Sequence, residues 1–202
     1  MAGILILNGS PRAPRSNSKR YAALFMNRCK VQCEYQNITR TNHAALCEKM
    51  NEVSDVLLVF PLYADGLPVT LLDFLKTLET CPPERKPVIS MLINCGFFEY
   101  HQNDIAVRMV ELFCRQNGYR FGAVLKIASG EAILDTPFCG LVKRKLEQLA
   151  AAIVQGKARV LHVSMPLTRG MFVRASTRYW VSYGKKNGVS REQMAVMEIE
   201  GK

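Results

Sequence analysis

Between Gly9 and Ser18 the chain reads Gly9-Ser10-Pro11-Arg12-Ala13-Pro14-Arg15-Ser16-Asn17-Ser18, which gathers three hydroxyls, one amide and two guanidinium groups. These are the side chains that hydrogen-bond and neutralise a phosphate. Their position adds to the case, because the apolar run Gly3–Asn8 precedes them and a helical pattern at Tyr21, Leu24, Phe25 and Cys29 follows. A strand feeding a helix leaves the helix's first amides unpaired and its positive dipole end facing the loop, which attracts an anion. Asn17 or Ser18 can cap that helix. The spacing matches neither a Walker phosphate loop nor a GxGxxG fingerprint, so a nucleoside triphosphatase and a dinucleotide-binding dehydrogenase both lack sequence support. The competing reading is an ordinary capped turn.

Two further loops carry groups suited to a flat ring. Pro61-Leu62-Tyr63-Ala64-Asp65-Gly66-Leu67-Pro68 exposes backbone through its turn residues and offers one aromatic ring. Asn94-Cys95-Gly96-Phe97-Phe98-Glu99-Tyr100 allows a close backbone approach at Gly96 beside three aromatic rings. Each ring serves equally well in a core or a dimer interface. The Cys95 thiol, near a helix start, is either activated or a small packing residue. His43, His101 and His162 need no catalytic role and read as solvated or core histidines.

All three loops follow strands. Gly3–Asn8, Val31–Ile38, the run from Asp55 to Phe60, Pro87–Asn94 and Phe121–Ser129 read as five strands, mostly apolar without alternation, as strands buried on both faces do. Helical patterns separate them, near His43–Asn51, from Pro68 through Leu71, Leu72, Leu75 and Leu78, from Gln102 to Asn117 with Gly118 as its stop, and from Val142 to Val154 ending at Gly156. Strict alternation of strand and helix, with right-handed crossovers, predicts a doubly wound parallel sheet with helices on both faces. In such sheets ligands bind outside the carboxyl ends of the strands at the topological switch point, so the loops after strands one, three, four and five are the site candidates.

The segments Leu7-Asn8-Gly9-Ser10-Pro11-Arg12, Ser16-Asn17-Ser18 and Phe60-Pro61-Leu62-Tyr63-Ala64-Asp65-Gly66-Leu67-Pro68 together resemble the NADPH-dependent FMN reductase and NAD(P)H:quinone oxidoreductase families of flavodoxin-like flavoproteins. The resemblance covers about residues 3 to 155. It implies a flavodoxin-like three-layer sandwich with a five-stranded parallel sheet in the order 2-1-3-4-5. It implies FMN as cofactor, with Ser10, Arg12, Ser16, Asn17 and Ser18 on the phosphate. Pro61, Leu62, Tyr63, Ala64, Asp65 and Gly66, with Asn94, Cys95, Gly96 and Phe97, would surround the isoalloxazine ring. The third ring loop departs from the best-known members, since only Asn94-Cys95-Gly96-Phe97 matches. The implied activity is hydride transfer from NAD(P)H through FMN to a small-molecule acceptor such as a quinone or flavin. The flavin carries the chemistry and no side chain acts as catalytic acid. The resemblance also implies a homodimer. A flavodoxin-type electron carrier without NAD(P)H oxidation is the alternative, and the net charge of +10 weighs against it by favouring anionic NADPH and acidic partners.

Composition bounds the rest. With 202 residues, 49% of them apolar, one core can hold most of the chain. The seven cysteines are odd in number and scattered without a CxxC pair, which argues against a disulfide framework, a zinc ribbon or an iron–sulfur cluster. No basic leader or cleavage site precedes Asn8, and no apolar stretch is long enough to span a bilayer, so the expected location is the cytoplasm. The basic balance raises nucleic-acid binding, but no docking motif accompanies it. The expected division is a cofactor-binding domain over residues 1–165 and a basic helical extension over 166–202. In the extension Arg169, Arg174, Arg178, Lys185, Lys186 and Arg191 interleave with Met171, Phe172, Tyr179, Trp180 and Tyr183. It would close over the flavin, contact a second copy or touch a membrane surface, and packing or a dimer contact is the reading preferred to membrane binding.

Overall fold

In the computed structural model, which describes residues 3–13 and 15–196, apolar strands and amphipathic helices alternate through most of the chain. Pro14 of the first loop and the last six residues of the extension lie outside the described residues. The elements run β1 (Gly3–Asn8), α1 (Asn17–Met26), β2 (Gln32–Asn37), α2 (His43–Lys49), β3 (Asp55–Pro61), α3 (Val69–Thr80), β4 (Val88–Asn94), α4 (Asp104–Gln116), β5 (Phe121–Ile127), α5 (Cys139–Val154), β6 (Val160–Val163), α6 (Arg169–Lys186) and α7 (Arg191–Met194). The chain divides into two compact units, Met1–Met165 and Pro166–Lys202.

All strands pair in parallel in one sheet of order β2-β1-β3-β4-β5-β6. The expected order 2-1-3-4-5 is therefore present with a sixth strand at its edge. Val160–Val163 is short, alternates exposed and buried residues and follows the polar stretch Gly156–Arg159, so it lacks the continuous apolar run of the inner strands. Pairing with β5 makes it a strand. Other boundaries shift by a turn. α5 begins at Cys139, ahead of the expected Val142, and Ser16 caps α1, where Asn17 or Ser18 was expected, its hydroxyl accepting from the Lys19 amide. Gly118 and Gly156 stand where expected, at φ +67° and +63°, beyond α4 and α5. A left-handed residue there lets the next amide turn back to a helix carbonyl, as Tyr119 does to Cys114 at 2.9 Å.

The inner strands are buried on both faces, as their sequences demand. Leu5, Leu7, Leu58, Phe60, Met91 and Ile93 join one cluster with Leu71, Phe74 and Leu78 of α3 and Val110 and Cys114 of α4. On the other face α1 packs against β3 and α5 against β5, so Tyr21, Phe25 and Leu146 are fully buried. Burial of each large side chain contributes about 1.5–3 kcal/mol, which makes the sheet a rigid base for the loops at its carboxyl edge.

The β4–β5 register shifts between Ile89 and Met91, and there the Ala123 amide donates to Ser90 Oγ at 3.0 Å. A Cβ on Gly122 would lie 2.5 Å from Ser90 Oγ and 2.9 Å from Val88 Cγ1. Gly122→Ala should lower stability by about 1–3 kcal/mol in urea denaturation, through overpacking at this irregularity.

Candidate functional site at the carboxyl edge

Parallel strands all end on one edge, so the loops after β1, β3, β4 and β5 meet there. Two buried asparagines, each the last residue of its strand, organise that edge. The Oδ1 of Asn8 accepts from the Ser10 amide at 3.0 Å, and its Nδ2 donates to Tyr35 Oη at 2.9 Å and Asn37 Oδ1 at 3.3 Å. The first loop is thereby turned off β1 while β2 is held beside it. Asn94, at the end of β4, donates from Nδ2 to Ser18 Oγ and to the Phe60 carbonyl, both at 3.1 Å. Its own carbonyl accepts from the Leu62 amide at 2.7 Å. One side chain thus ties α1 to the ends of β3 and β4.

Around the first loop the donor set is cationic. Ser10 is buried, its hydroxyl oxygen accepting from the Arg12 amide at 3.3 Å, which leaves the hydroxyl hydrogen free to donate. The side chains of Arg12 and Arg15 are exposed and, among the described residues, neither forms an ion pair. The amides of Asn17 and Ser18 open α1 and have no intrahelical acceptor. Guanidinium groups, hydroxyls and first-turn amides together suit a phosphate. Two of the expected phosphate residues are otherwise engaged. The Ser18 side chain is buried against Asn94, and the Asn17 side chain donates to the Glu131 carbonyl at 3.3 Å and accepts from Arg20 at 3.1 Å. Their backbone amides remain at the helix start.

After β3, Pro61 and Leu62 are half-buried at the strand end, and Tyr63 to Gly66 form a two-residue hairpin closed by amide–carbonyl bonds of 3.1 and 2.9 Å. Ala64 and Asp65 occupy its centre at φ 44° and 57°, the left-handed region that such a turn requires and that glycine or asparagine usually fills. Side chains there cost of order 1 kcal/mol each, and the hairpin holds the Tyr63 ring 50% exposed. After β4, Cys95 is buried and accepts from Asn103 Nδ2 at 3.3 Å. Burial raises its thiol pKa, so it packs and is not an activated nucleophile. A Cβ on Gly96 would meet only Glu131 Oε2, at 3.7 Å, within 4 Å. The Phe97 ring is 50% exposed. Because Pro61 pairs with Asn94, the Tyr63 and Phe97 loops leave the sheet side by side.

The loop after β5 closes this edge through residues that the sequence did not single out. Ser129, at φ 53°, donates its amide to the Phe97 carbonyl at 2.6 Å, and the Gly130 amide donates to the Cys95 carbonyl at 2.7 Å. Buried Tyr21 donates to the Gly130 carbonyl at 2.7 Å, and Arg20 pairs with Asp135 at 2.5 Å. A Cβ on Gly130 would lie 2.9 Å from Asn94 Cβ, so only glycine lets the β5 loop touch the end of β4. A Gly-Glu pair after an apolar strand was the available signal. Behind this edge Lys126 of β5, nearly buried, bonds Asp104 at 2.7 Å beneath the Tyr100 ring, on whose plane His162 stacks at 4.0 Å. Burial, with Lys145 and Lys126 nearby, lowers the His162 pKa and favours its neutral ring. His43 of α2 touches Thr77 and packs T-shaped on Phe74, both of α3.

No protein-family profile and no curated protein sequence matches the chain. Solved structures do match. An NADPH-quinone reductase from P. pentosaceus shares 14% identity over 74% of this chain and 98% of its own, with a TM-score of 0.57. An FMN-dependent NADH-azoreductase from Bacillus anthracis, solved in complex with FMN, shares 12% over 76% and 100%, with a TM-score of 0.57. A flavodoxin from Streptococcus pneumoniae shares 14% over 76% and 99%, with a TM-score of 0.55. The fold is flavodoxin-like. At these identities the likeness concerns architecture, and the flavodoxin-like sheet here carries its candidate site where its own loops converge.

Asn94→Ala strands the Ser18 hydroxyl and the Phe60 carbonyl without a buried donor. It should lower stability by about 1–3 kcal/mol, read as a reduced denaturation midpoint with an unchanged m-value.

Proposed function

We propose that this chain binds FMN at the carboxyl edge and passes a hydride from NAD(P)H to a small acceptor such as a quinone or a flavin. One observation carries the reading. Arg12 and Arg15, which form no ion pair among the described residues, and the first amides of α1 lie at the same sheet edge as two half-exposed rings, Tyr63 and Phe97, on adjacent loops. An anion site and a pair of open aromatic rings are the two requirements of a phosphorylated planar cofactor. Supporting it, solved structures of the same fold include proteins described as an NADPH-quinone reductase and an FMN-dependent NADH-azoreductase.

On this reading Ser10, Arg12, Arg15, Ser16 and the amides of Asn17 and Ser18 hold the phosphate. Tyr63 and Phe97 flank the ring, with Gly96 leaving room for close approach. FMN, when bound, would supply the hydride-accepting two-electron chemistry of the reaction. The residues here position and exclude. The strained Tyr63–Gly66 hairpin and the Ser129–Gly130 contacts fix the loops before anything binds, which lowers the ordering cost of binding. Glu131, beside Gly96, places a carboxylate near the ring loop and disfavours a second anion there. The surplus of cations over carboxylates draws anionic nicotinamide cofactors from solution.

Purified protein, supplemented with FMN, should show the bound-flavin absorbance bands, and anaerobic NADPH or NADH should bleach them. Bleaching by dithionite alone would assign the chain to electron carriage without nicotinamide oxidation, and the absence of flavin binding would sink the proposal.

Arg12→Gln with Arg15→Gln should raise the FMN dissociation constant about tenfold to a hundredfold, measured by quenching of flavin fluorescence, because charge-assisted hydrogen bonds are worth about 1.5–3 kcal/mol. Replacing Lys76, on the exposed face of α3, by Gln should leave it unchanged.

A further inference from the structure

The seven cysteines are scattered in sequence, yet the fold brings two of them together at the amino end of β2, away from the carboxyl edge. Cys29 stands three residues beyond α1, and its amide still donates to the Phe25 carbonyl at 2.9 Å, so the helical path continues to it. Tyr21 and Phe25, buried on the sheet-facing side of α1, precede it at intervals of four. One more step of that spacing aims Cys29 at the sheet. Lys30 and Val31 then turn the chain, and Cys33 is the second residue of β2, opposite Ile4 of β1.

The pleat of β2 decides which way Cys33 faces, because successive side chains of a strand point to opposite sides. Glu34 pairs with Lys49 at the end of α2, so it marks the face covered by that helix. Tyr35 and Asn37 accept from Asn8 Nδ2 at 2.9 and 3.3 Å, and the same nitrogen reaches Ser16, the cap of α1, at 3.5 Å. Cys33 shares the parity of Tyr35 and Asn37. Its thiol therefore enters the space beside the end of α1, where it is hydrogen-bonded with Cys29. The Val31 carbonyl, 3.5 Å away, is a second acceptor for its hydrogen. Both cysteines are free thiols and half-buried.

Neighbouring thiols either pack as small apolar groups or join. Here the two lie four residues apart on one connecting segment, so the ring that closes is small. β2 is an edge strand, bonded to a neighbour on one side only, which leaves its start room to adjust. The two thiols are also unequal. Burial and the hydrogen bond with Cys29 push the Cys33 thiol up and keep it protonated, which gives Cys29 the first attack.

We propose that Cys29 and Cys33 are a redox-active dithiol, which a small-molecule disulfide such as oxidised glutathione converts reversibly to an intramolecular disulfide. Cys29, as thiolate, attacks one sulfur of the oxidant; a mixed disulfide forms and one glutathione thiolate leaves. Cys33 then gives up its proton and attacks the Cys29 sulfur; the Cys29–Cys33 bond forms and the second glutathione thiolate leaves. Two electrons pass from the cysteines to the oxidant, and their two protons end on the two released thiols. The new bond ties the end of α1 to the start of β2. The proposal does not rest on the flavin reading.

The full-length protein, reduced and then incubated in its folded state with oxidised glutathione, is quenched in denaturant with iodoacetamide. Cys29 and Cys33 should escape alkylation, and dithiothreitol should restore both. Trypsin cuts after Arg28, Lys30 and Arg40, which separates the pair. The oxidised protein should therefore yield the dipeptide Cys29-Lys30 joined to peptide 31–40, and dithiothreitol should split them. The joined peptide should grow with the ratio of oxidised to reduced glutathione. Cys33→Ser should stop after the first step and retain glutathione on Cys29, since serine cannot complete the exchange. The unmodified protein carries the peptide mapping, so the result does not depend on the variant's folding. Alkylation of Cys29 and Cys33 after the oxidant treatment overturns the proposal, whatever happens to the other cysteines. So does glutathione retained on both residues, or a bond from either one to another cysteine or to a second chain, because the contact would then be packing alone.

Discussion

The buried amide of Asn94 is the constraint on which the carboxyl edge depends. Its Nδ2 bonds the side chain of α1 and the last carbonyl of β3's apolar run, and its backbone carbonyl holds the chain as it leaves β3. In a low-dielectric interior each of these groups would be costly to leave unpaired. The fold therefore keeps the three elements in register or loses several hydrogen bonds together. The anion-suited loop, the Tyr63 hairpin and the Phe97 loop all hang from those elements. Asn8 repeats the device one strand over, turning the first loop and securing β2.

That rigidity explains how loops can carry strain. Ala64, Asp65 and Ser129 stand at positive φ without being glycine, and each sits where a loop must turn sharply at the sheet's edge. Such conformations persist only where the surroundings over-determine them. Here the surroundings are strand ends packed on two helical layers and joined through Gly130, which has no room for a side chain beside Asn94. Strain, small residues and buried amides thus belong to one arrangement. Its product is a set of donors and rings held open to solvent.

The two units of the chain use their sequences differently. In the first, apolar residues go inside and cations cluster at one loop; in the second, Tyr179, Trp180 and Tyr183 of α6 gather into one aromatic cluster. The first unit's stability comes from burial, whereas the second is held locally by caps and by the closure of α7 on Gly184.

Much of this was legible in the residues. Wholly apolar runs ending in Asn-Gly, Phe-Pro and Asn-Cys-Gly read as strands buried on both faces, and alternation with helical patterns then points to a parallel sheet with its loops on one edge. Side-chain chemistry marked the Gly9–Ser18 loop as anion-suited, because guanidinium groups, hydroxyls and a helix start carry that property wherever they are placed. Tertiary structure decided what local pattern cannot encode. β6 is a strand only because β5 offers it an edge, and Ser18 is half of a buried pair only because β4 brings Asn94 to it. Glu131, Gly130 and Tyr21 reach the site only because α1 and α5 pack on the same face. Hydrogen bonds between residues tens of positions apart depend on distance in space, and that distance exists only once the core has closed.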